Sequence, residues 1–213
     1  MTFSGEYFSK DYFFGMKHSN YRNYNHYDTD LYWKSIISII KKYHLNGKIL
    51  DVGCAFGFLL KRVKPYFDEV HGLDISPFAI QRAQKEAPFG RFKIINIGIE
   101  ELPYPDEYFD FITALDVLEH TESIEKTLRK IVHKLRAHGY LLIEVPIIDT
   151  WAGKIFHALD RDSSHIGILP RRELLSTIQH MGLEMVEKGY ILNTPFMKLK
   201  GLPIEIQILM KKY

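Results

Sequence analysis

A chain of 213 residues is long enough to bury a core of its own and suits one domain with a small appendage. Apolar residues make up 46% and charged residues 25%, and a formal net charge of +2 is too balanced for a nucleic-acid or anionic-membrane binder. The single cysteine, Cys54, excludes an intrachain disulfide and favours a reducing, cytoplasmic setting.

The N-terminal stretch mixes aromatics with charges, without the apolar run of a signal peptide. Eleven aromatics fall between Phe3 and Trp33, within the first 33 residues, and read as an irregular arm with short helical turns. "SIISII" is too short to span a bilayer. A helix is expected from Asp30 as N-cap, with Trp33, Ile36, Ile37 and Ile40 on one face and Gly47 breaking it. "KILDVG" is a short buried strand, and "FGFLLKRVKPYF" a helix stopped near Pro65. "EVHGLDI" is the second strand. Ser76 caps the next helix, with Pro77 in its first turn, where a missing N–H does no harm. "RFKIINI" and "FDFITAL" are strands three and four, separated by the turn-rich "ELPYPDEY".

A long helix is expected over roughly 122–137, with Ile124, Leu128, Ile131, Val132 and Leu135 as its apolar stripe. Cations crowd its last turn and Gly139 ends it. "YLLIEVP" is strand five, residues 147–169 look like an insertion, and residues 171–181 form another helix. Strands over roughly 184–192 and 203–211 close the chain, their short connection favouring an antiparallel pair. The expected class is α/β: a doubly wound, mostly parallel, seven-stranded Rossmann-like sheet with an antiparallel last strand and an N-terminal helical, aromatic arm. Residues 1–45 would be the arm and its helix, and 46–213 the ligand-binding domain, with 147–169 over the site.

In such sheets ligands bind beyond the carboxyl ends of the strands. "ILDVGCAFGFLL" puts Asp51, Gly53 and Gly57 at the first strand-to-helix turn, where glycine lets the backbone bend and a ligand approach. Asp74 ends strand two, where a carboxylate can accept from both hydroxyls of a ribose. A ligandless tight turn and a helix-capping Asp74 are the plainer readings of the same residues. A dinucleotide fingerprint would need G-x-G-x-x-G, but the positions are Gly53, Ala55 and Phe58, which weighs against NAD.

"ILDVGCAFGFLL", "VHGLDIS", "IEELPYPDEYFDFITALDVLEH" and "LRAHGYLLIEVP", in that order and spacing, resemble class I S-adenosylmethionine-dependent methyltransferases, especially the ubiquinone/menaquinone-biosynthesis type and its small-molecule relatives. The resemblance covers roughly residues 45–190 and implies S-adenosyl-L-methionine as cofactor and S-adenosyl-L-homocysteine as product. It implies that Asp51, Gly53 and Gly57, with Cys54 and Ala55 between them, form the loop under the methionine part. Asp74 would hold the ribose and Ile75 pack on the adenine. Gly98, Ile99 and Glu100 would meet the adenine edge, and Leu115 and Asp116 lie near the sulfonium. Glu119 and His120 match the family's "LEH". Two departures are Ala55 for the usual middle glycine, tolerable if its φ is negative, and Gly98 where relatives often carry an acid.

The expected reaction is in-line transfer of a methyl group to an O, N or C nucleophile of a small molecule. A base is needed only for a hydroxyl acceptor, and His165 and His120 are its candidates, with His165 preferred as acceptor-facing. Asp160, Arg161 and Asp162 beside it are either acceptor contacts or solvated. The arm is a lid, with Tyr12 or Tyr21 near the sulfonium, or packs on the domain or on a second copy in a homodimer. No metal set, nucleic-acid track or membrane span is read from the chain. The alternative is a cofactor-binding scaffold without turnover.

Overall fold

The structure, a computed structural model, describes residues 3–16, 19–194 and 197–213. After the short α1 (Lys10–Phe13) come α2 (Asp30–Lys42), β1 (Lys48–Val52), α3 (Phe58–Val63), β2 (Glu69–Asp74), α4 (Pro77–Glu86) and β3 (Arg91–Ile94). Then follow β4 (Phe109–Leu115), α5 (Ile124–Lys134), β5 (Leu135–Pro146), α6 (Trp151–Leu159), α7 (Arg171–Gln179), β6 (Leu183–Asn193), β7 (Lys198–Lys200) and β8 (Glu205–Lys212). They form one sheet in the order β3-β2-β1-β4-β5-β8-β6-β7. β1 to β5 are parallel, β8 runs against both β5 and β6, and β7 runs against β6.

The sheet has eight strands where seven are expected from the sequence. The extra one is β7, three residues (Lys198, Leu199 and Lys200) that pair with Ile191–Asn193 and are too few to show a period of their own. Thr29, not Asp30, caps α2, its Oγ1 accepting from Tyr32 N–H at 3.2 Å. Ser76 caps α4 as expected, accepting from Ala79 N–H at 3.1 Å. α5 stops at Lys134 and β5 begins at the next residue, earlier than the periodicity implies. Leu135 is fully buried because it pairs with Phe109, and the register then slips before Phe111 meets Tyr140. Gly139 lies in that irregular stretch, where a Cβ would come within 3.0 Å of Asp110 O. It therefore serves the bulge and not a helix end.

Two apolar layers flank the sheet. On one face α5 and α7 bury Ile124, Leu128, Ile131, Leu174 and Ile178 against Ile112, Leu141 and Ile208. On the other, the arm, α2, α3 and α4 join one cluster around Phe56. The arm's rings pack on their own domain: Phe13 and Tyr24 lie 4.8 and 4.9 Å from Phe56, ring centre to ring centre. Among the described residues no helix is long and apolar enough to cross a membrane.

Candidate active site

A cavity of about 310 Å³ opens beyond the carboxyl ends of β1, β2 and β4, under the arm. Of the residues singled out from the sequence, Asp51, Gly53, Cys54, Ala55, Asp74, Ile75, Gly98, Leu115, Asp116, His120 and His165 line it. Gly57, Ile99 and Glu100 do not. Gly57 is the left-handed N-cap of α3, where a Cβ would sit 3.2 Å from that of Ala83 in α4. Ile99 is exposed, and Glu100 folds back to accept from Asn96 N–H at 2.7 Å. Asn96 and Ile97 take the wall position expected of Ile99 and Glu100.

The turn after β1 is built on left-handed backbone: φ is +74° at Gly53, +43° at Ala55 and +73° at Gly57. The condition that would make Ala55 harmless, a negative φ, is therefore not met. Its N–H is instead held by Asp74 Oδ2 at 2.8 Å. Gly53 and Cys54 both donate to Leu73 O, at 2.8 and 2.9 Å. These three amides are committed within the protein, so the loop offers a ligand room more than donors. Gly53 itself is needed for packing, since a Cβ there would lie 2.7 Å from Val117 Cγ2.

Asp74 accepts once on each oxygen, from Ala55 N–H and from Ser76 N–H at 2.8 Å. Each oxygen keeps lone-pair capacity for one further donor. Burial pushes its carboxyl up to about 6, against the nearby backbone amides of Ser76, Ala55 and Ile75, which lower it. Asp51 accepts from Thr113 Oγ1 at 2.7 Å and is pushed by burial to about 7.

Asp116, at φ +51°, follows β4. Its Oδ2 accepts from Asn193 Nδ2 at 2.8 Å, and Asn193 also reaches Glu205. Beside them Lys198 is buried against Glu144 and stacks over Tyr32, 4.9 Å from the ring centre. Asp116 Oδ1 and Glu119 Oε2 are buried with no hydrogen-bond partner among the described residues. Burial, and the charge of Glu144, push Asp116 up to about 7; burial, and the charge of Asp116, push Glu119 to about 8.

The histidines meet, their ring centres 4.8 Å apart. Burial, then the charge of His165, lower His120 to about 4. Burial would also lower His165, but its 2.5 Å hydrogen bond to Asp160 prevails and raises it to about 9. A neutral and a charged imidazole thus share one wall. Glu119, His120 and His165 each present one donor atom within 4.8 Å of the others, as do Asp116, Glu144 and Glu205. In the second set Glu144 is already tied to Lys198 and Gln207. The first set, two imidazoles and a carboxylate, is one a divalent transition metal accepts.

Sequence reasoning missed Asn193, Lys198 and Glu205, which reach the cavity from β6, β7 and the start of β8. No motif marks them, because only the antiparallel pairing brings those strands to β5. The arm's rings did carry a signal in their density, and Tyr24, Tyr27, Tyr32 and Trp33 do line the cavity.

Residues 50–143 match a family model described as a methyltransferase domain. The chain is 34% identical over 101 residues to the mitochondrial ubiquinone biosynthesis O-methyltransferase of Schizosaccharomyces pombe, covering 45% of this chain and 36% of that one. It is 25% identical to the malonyl-[acyl-carrier protein] O-methyltransferase of Halorhodospira halophila, covering 68% and 48%. The chain thus spans half or less of these two relatives. The crystal structure of YcgJ from Bacillus subtilis superposes with a TM-score of 0.68 at 18% identity, over 84% of this chain and 98% of that one, and that likeness concerns the fold. The strand order, the turn after β1, the acid closing β2 and the match of residues 50–143 to a methyltransferase domain all agree with one another, and the chain is similar to methyltransferases in both sequence and fold.

Proposed function

We propose that the chain transfers a methyl group to a hydroxyl of a small molecule, with His120 as the base. The observation that carries this is the meeting of two imidazoles in one cavity, ring centres 4.8 Å apart, with His165 bonded to Asp160 and His120 not; burial holds His120 below the usual imidazole range, and Asp160 holds His165 above it. A base needs a free lone pair at neutral pH, which His120 has and an Asp160-bound imidazolium lacks. This reverses the preference for His165 and leaves it an electrostatic role, favouring the oxyanion as the proton leaves.

The cavity residues fit the cofactor. Asp74 has one spare acceptor position per oxygen for the two ribose hydroxyls. Ile75, Asn96, Ile97 and Gly98 supply the adenine wall. The unpartnered Asp116 Oδ1 suits an ammonium group, and Gly53, Cys54 and Ala55 line the cavity where the methionine part would lie. When bound, S-adenosylmethionine supplies a methyl group already activated on a sulfonium. Everything else is positioning, which contributes roughly 7–11 kcal/mol in favourable cases. The enclosure by the arm's rings supports a small-molecule acceptor over a nucleic acid. Phe8, Tyr12, Phe13, Tyr32 and Trp33 are buried and the other rings half-buried within one chain, which supports an arm that packs on its own domain over one that needs a second copy.

A second reading is supported by Glu119 Oε2, which has no partner beside the two imidazoles. In it Glu119, His120 and His165 hold a divalent cation that binds the acceptor oxygen.

The test is methyl transfer from S-adenosylmethionine across a panel of phenols, alcohols and amines, before and after dialysis against EDTA. His120→Ala is expected to lower turnover by on the order of 10²–10⁴ while leaving S-adenosylhomocysteine affinity unchanged. Loss of activity with EDTA, restored by a divalent metal, would move the assignment to the second reading. Cofactor binding without transfer to any acceptor would favour a scaffold.

A further inference from the structure

The N-terminal arm reaches both histidines through defined hydrogen bonds. Tyr12 Oη donates to Asp162 Oδ2 at 2.6 Å. The other oxygen, Oδ1, accepts from Ser164 N–H at 2.9 Å and from the Ser164 hydroxyl at 2.5 Å. A carboxylate only accepts, and serine has one hydroxyl hydrogen. The 2.8 Å contact between Ser164 Oγ and His120 Nδ1 must therefore have the ring as donor. Ser164 O, 3.3 Å from the same nitrogen, can accept only from a protonated Nδ1 as well. His120 is thus fixed with its proton on Nδ1 and the lone pair on Nε2. Tyr12, Asp162 and Ser164 are all buried, so water does not compete for these bonds.

A parallel link serves the other ring. Asn20 Nδ2 donates to Asp160 Oδ1 at 2.7 Å, and Asp160 Oδ2 accepts from His165 Nδ1. Asn20 Oδ1 accepts in turn from Arg161 N–H at 3.2 Å. The residues of the loop they grip are fixed from behind: Gly167 donates to Glu119 O at 2.8 Å, and a Cβ on Gly167 would lie 2.2 Å from Thr121 O. The arm is itself anchored on the cofactor side, where Ser76 Oγ donates to Phe8 O and Asn96 Nδ2 to Phe3 O.

We propose that Tyr12 and Asn20 are positioning residues of the active site, acting through Asp162–Ser164 and through Asp160 to set the tautomer and orientation of His120 and His165. The seated arm is then part of the catalytic machinery and more than a cover. The Tyr12 hydroxyl gives its hydrogen to Asp162, which leaves only its oxygen lone pairs and ring face for the sulfonium contact expected of Tyr12 or Tyr21. The inference rests on the role given to His120, but its first readout does not need that role. The same three-part logic, a carboxylate fixing the ring that must act, governs catalytic triads.

The experiment uses the full chain with ¹⁵N-labelled histidine and records side-chain nitrogen–carbon-bound-proton correlations with S-adenosylhomocysteine present. The wild-type chain is expected to show His120 as the neutral Nδ1–H tautomer. Tyr12→Phe keeps the ring and its packing but loses the donor, and should move His120 toward a mixture with the Nε2–H form. Ser164→Ala should give the same change from the loop side if Tyr12→Phe proves unstable. Asn20→Ala should alter the His165 signals and leave the Nδ1–H tautomer of His120 unchanged. Tyr43→Phe, which removes a 2.6 Å bond to Glu187 away from the cavity, should change neither. With an acceptor from the panel, Tyr12→Phe should lower kcat by roughly 10-fold or more with the acceptor KM within about twofold. An Nε2–H tautomer in the wild type, or an unchanged tautomer in both Tyr12→Phe and Ser164→Ala, overturns the proposal. An unchanged kcat with a shifted tautomer would refute the role of His120 as base and leave the positioning link standing.

Discussion

Replacing Asp74 tests the cofactor site most directly. Its two oxygens each hold one backbone amide at 2.8 Å, from Ala55 and from Ser76, and each has capacity for one ribose hydroxyl. A hydrogen bond to a charged group is worth about 1.5–3 kcal/mol, so two account for roughly 3–6 kcal/mol, or about 10²–10⁴ in affinity. Water restores part of this in the variant, and Asp74→Ala is expected to weaken S-adenosylhomocysteine at least about tenfold by titration calorimetry. Because alanine also strands the Ala55 and Ser76 amides, Asp74→Asn, which keeps one acceptor oxygen, should be measured beside it and fall between the two. The pH dependence has a fixed sign. Burial raises the free carboxyl to about 6, and the hydroxyls favour the ionised form, so affinity should decline as pH falls through 6. Affinity unchanged in both variants would refute the ribose assignment, whatever the turnover.

Three further outcomes follow from strain and burial. Ala55 at φ +43° bears roughly 1–2 kcal/mol of left-handed strain, partly offset by the extra unfolded-state freedom of glycine. Ala55→Gly should therefore raise the melting midpoint by up to about 3 °C, and a fall would contradict the backbone described. Lys198→Met leaves Glu144 buried without its cation and should cost about 3–5 kcal/mol, read by denaturant unfolding; Lys198→Met with Glu144→Gln should recover much of it. The third outcome concerns pH. Asp51, Asp116 and Glu119 have folded pKa values raised to about 7, 7 and 8, so folding favours their protonated forms, and the stability this gives is full below about 4 and is lost as pH rises to those values. His165, raised to about 9, adds stability that is full below about 6.5 and lost toward 9, while the depressed His120 costs stability only below about 6.5. Between about pH 5 and 6.5 the three acids outweigh His120, and above 6.5 His165 adds to the loss, so the unliganded chain should melt progressively lower from about pH 5 toward pH 9 by scanning fluorimetry; a midpoint that rises across that window would refute the burial of these acids.

Much of the site was legible where a residue's role is local. Asp74, Gly53 and Asp116 end strands, and the edge of a parallel sheet is where such residues gather. Ser76 caps a helix by its own hydroxyl, so its neighbours in the chain were enough to find it. Ala55 shows the limit of that reasoning. Nothing in "GCAFG" tells its φ, which follows from Leu73 O and Asp74 holding three successive amides. The same holds for the histidines, both visible as candidates, whose opposite shifts come from burial at His120 and from Asp160 at His165.

The sequence by itself determined the alternation of strands and helices, the parallel sheet and the turn after β1. These follow from apolar period, caps and glycines, all short-range properties of the chain. The tertiary structure alone decided three things. Pairing to Phe109 converted the end of an apparent helix stripe at Leu135 into strand. Antiparallel docking of β8 on β5 delivered Asn193, Lys198 and Glu205 to the cavity. Contacts between residues some 150 positions apart, Tyr12 with Asp162 and Tyr7 with Ser163, joined the arm to the histidines. Pairing, burial and hydrogen bonding across such separations depend on the whole fold, and no local pattern encodes them.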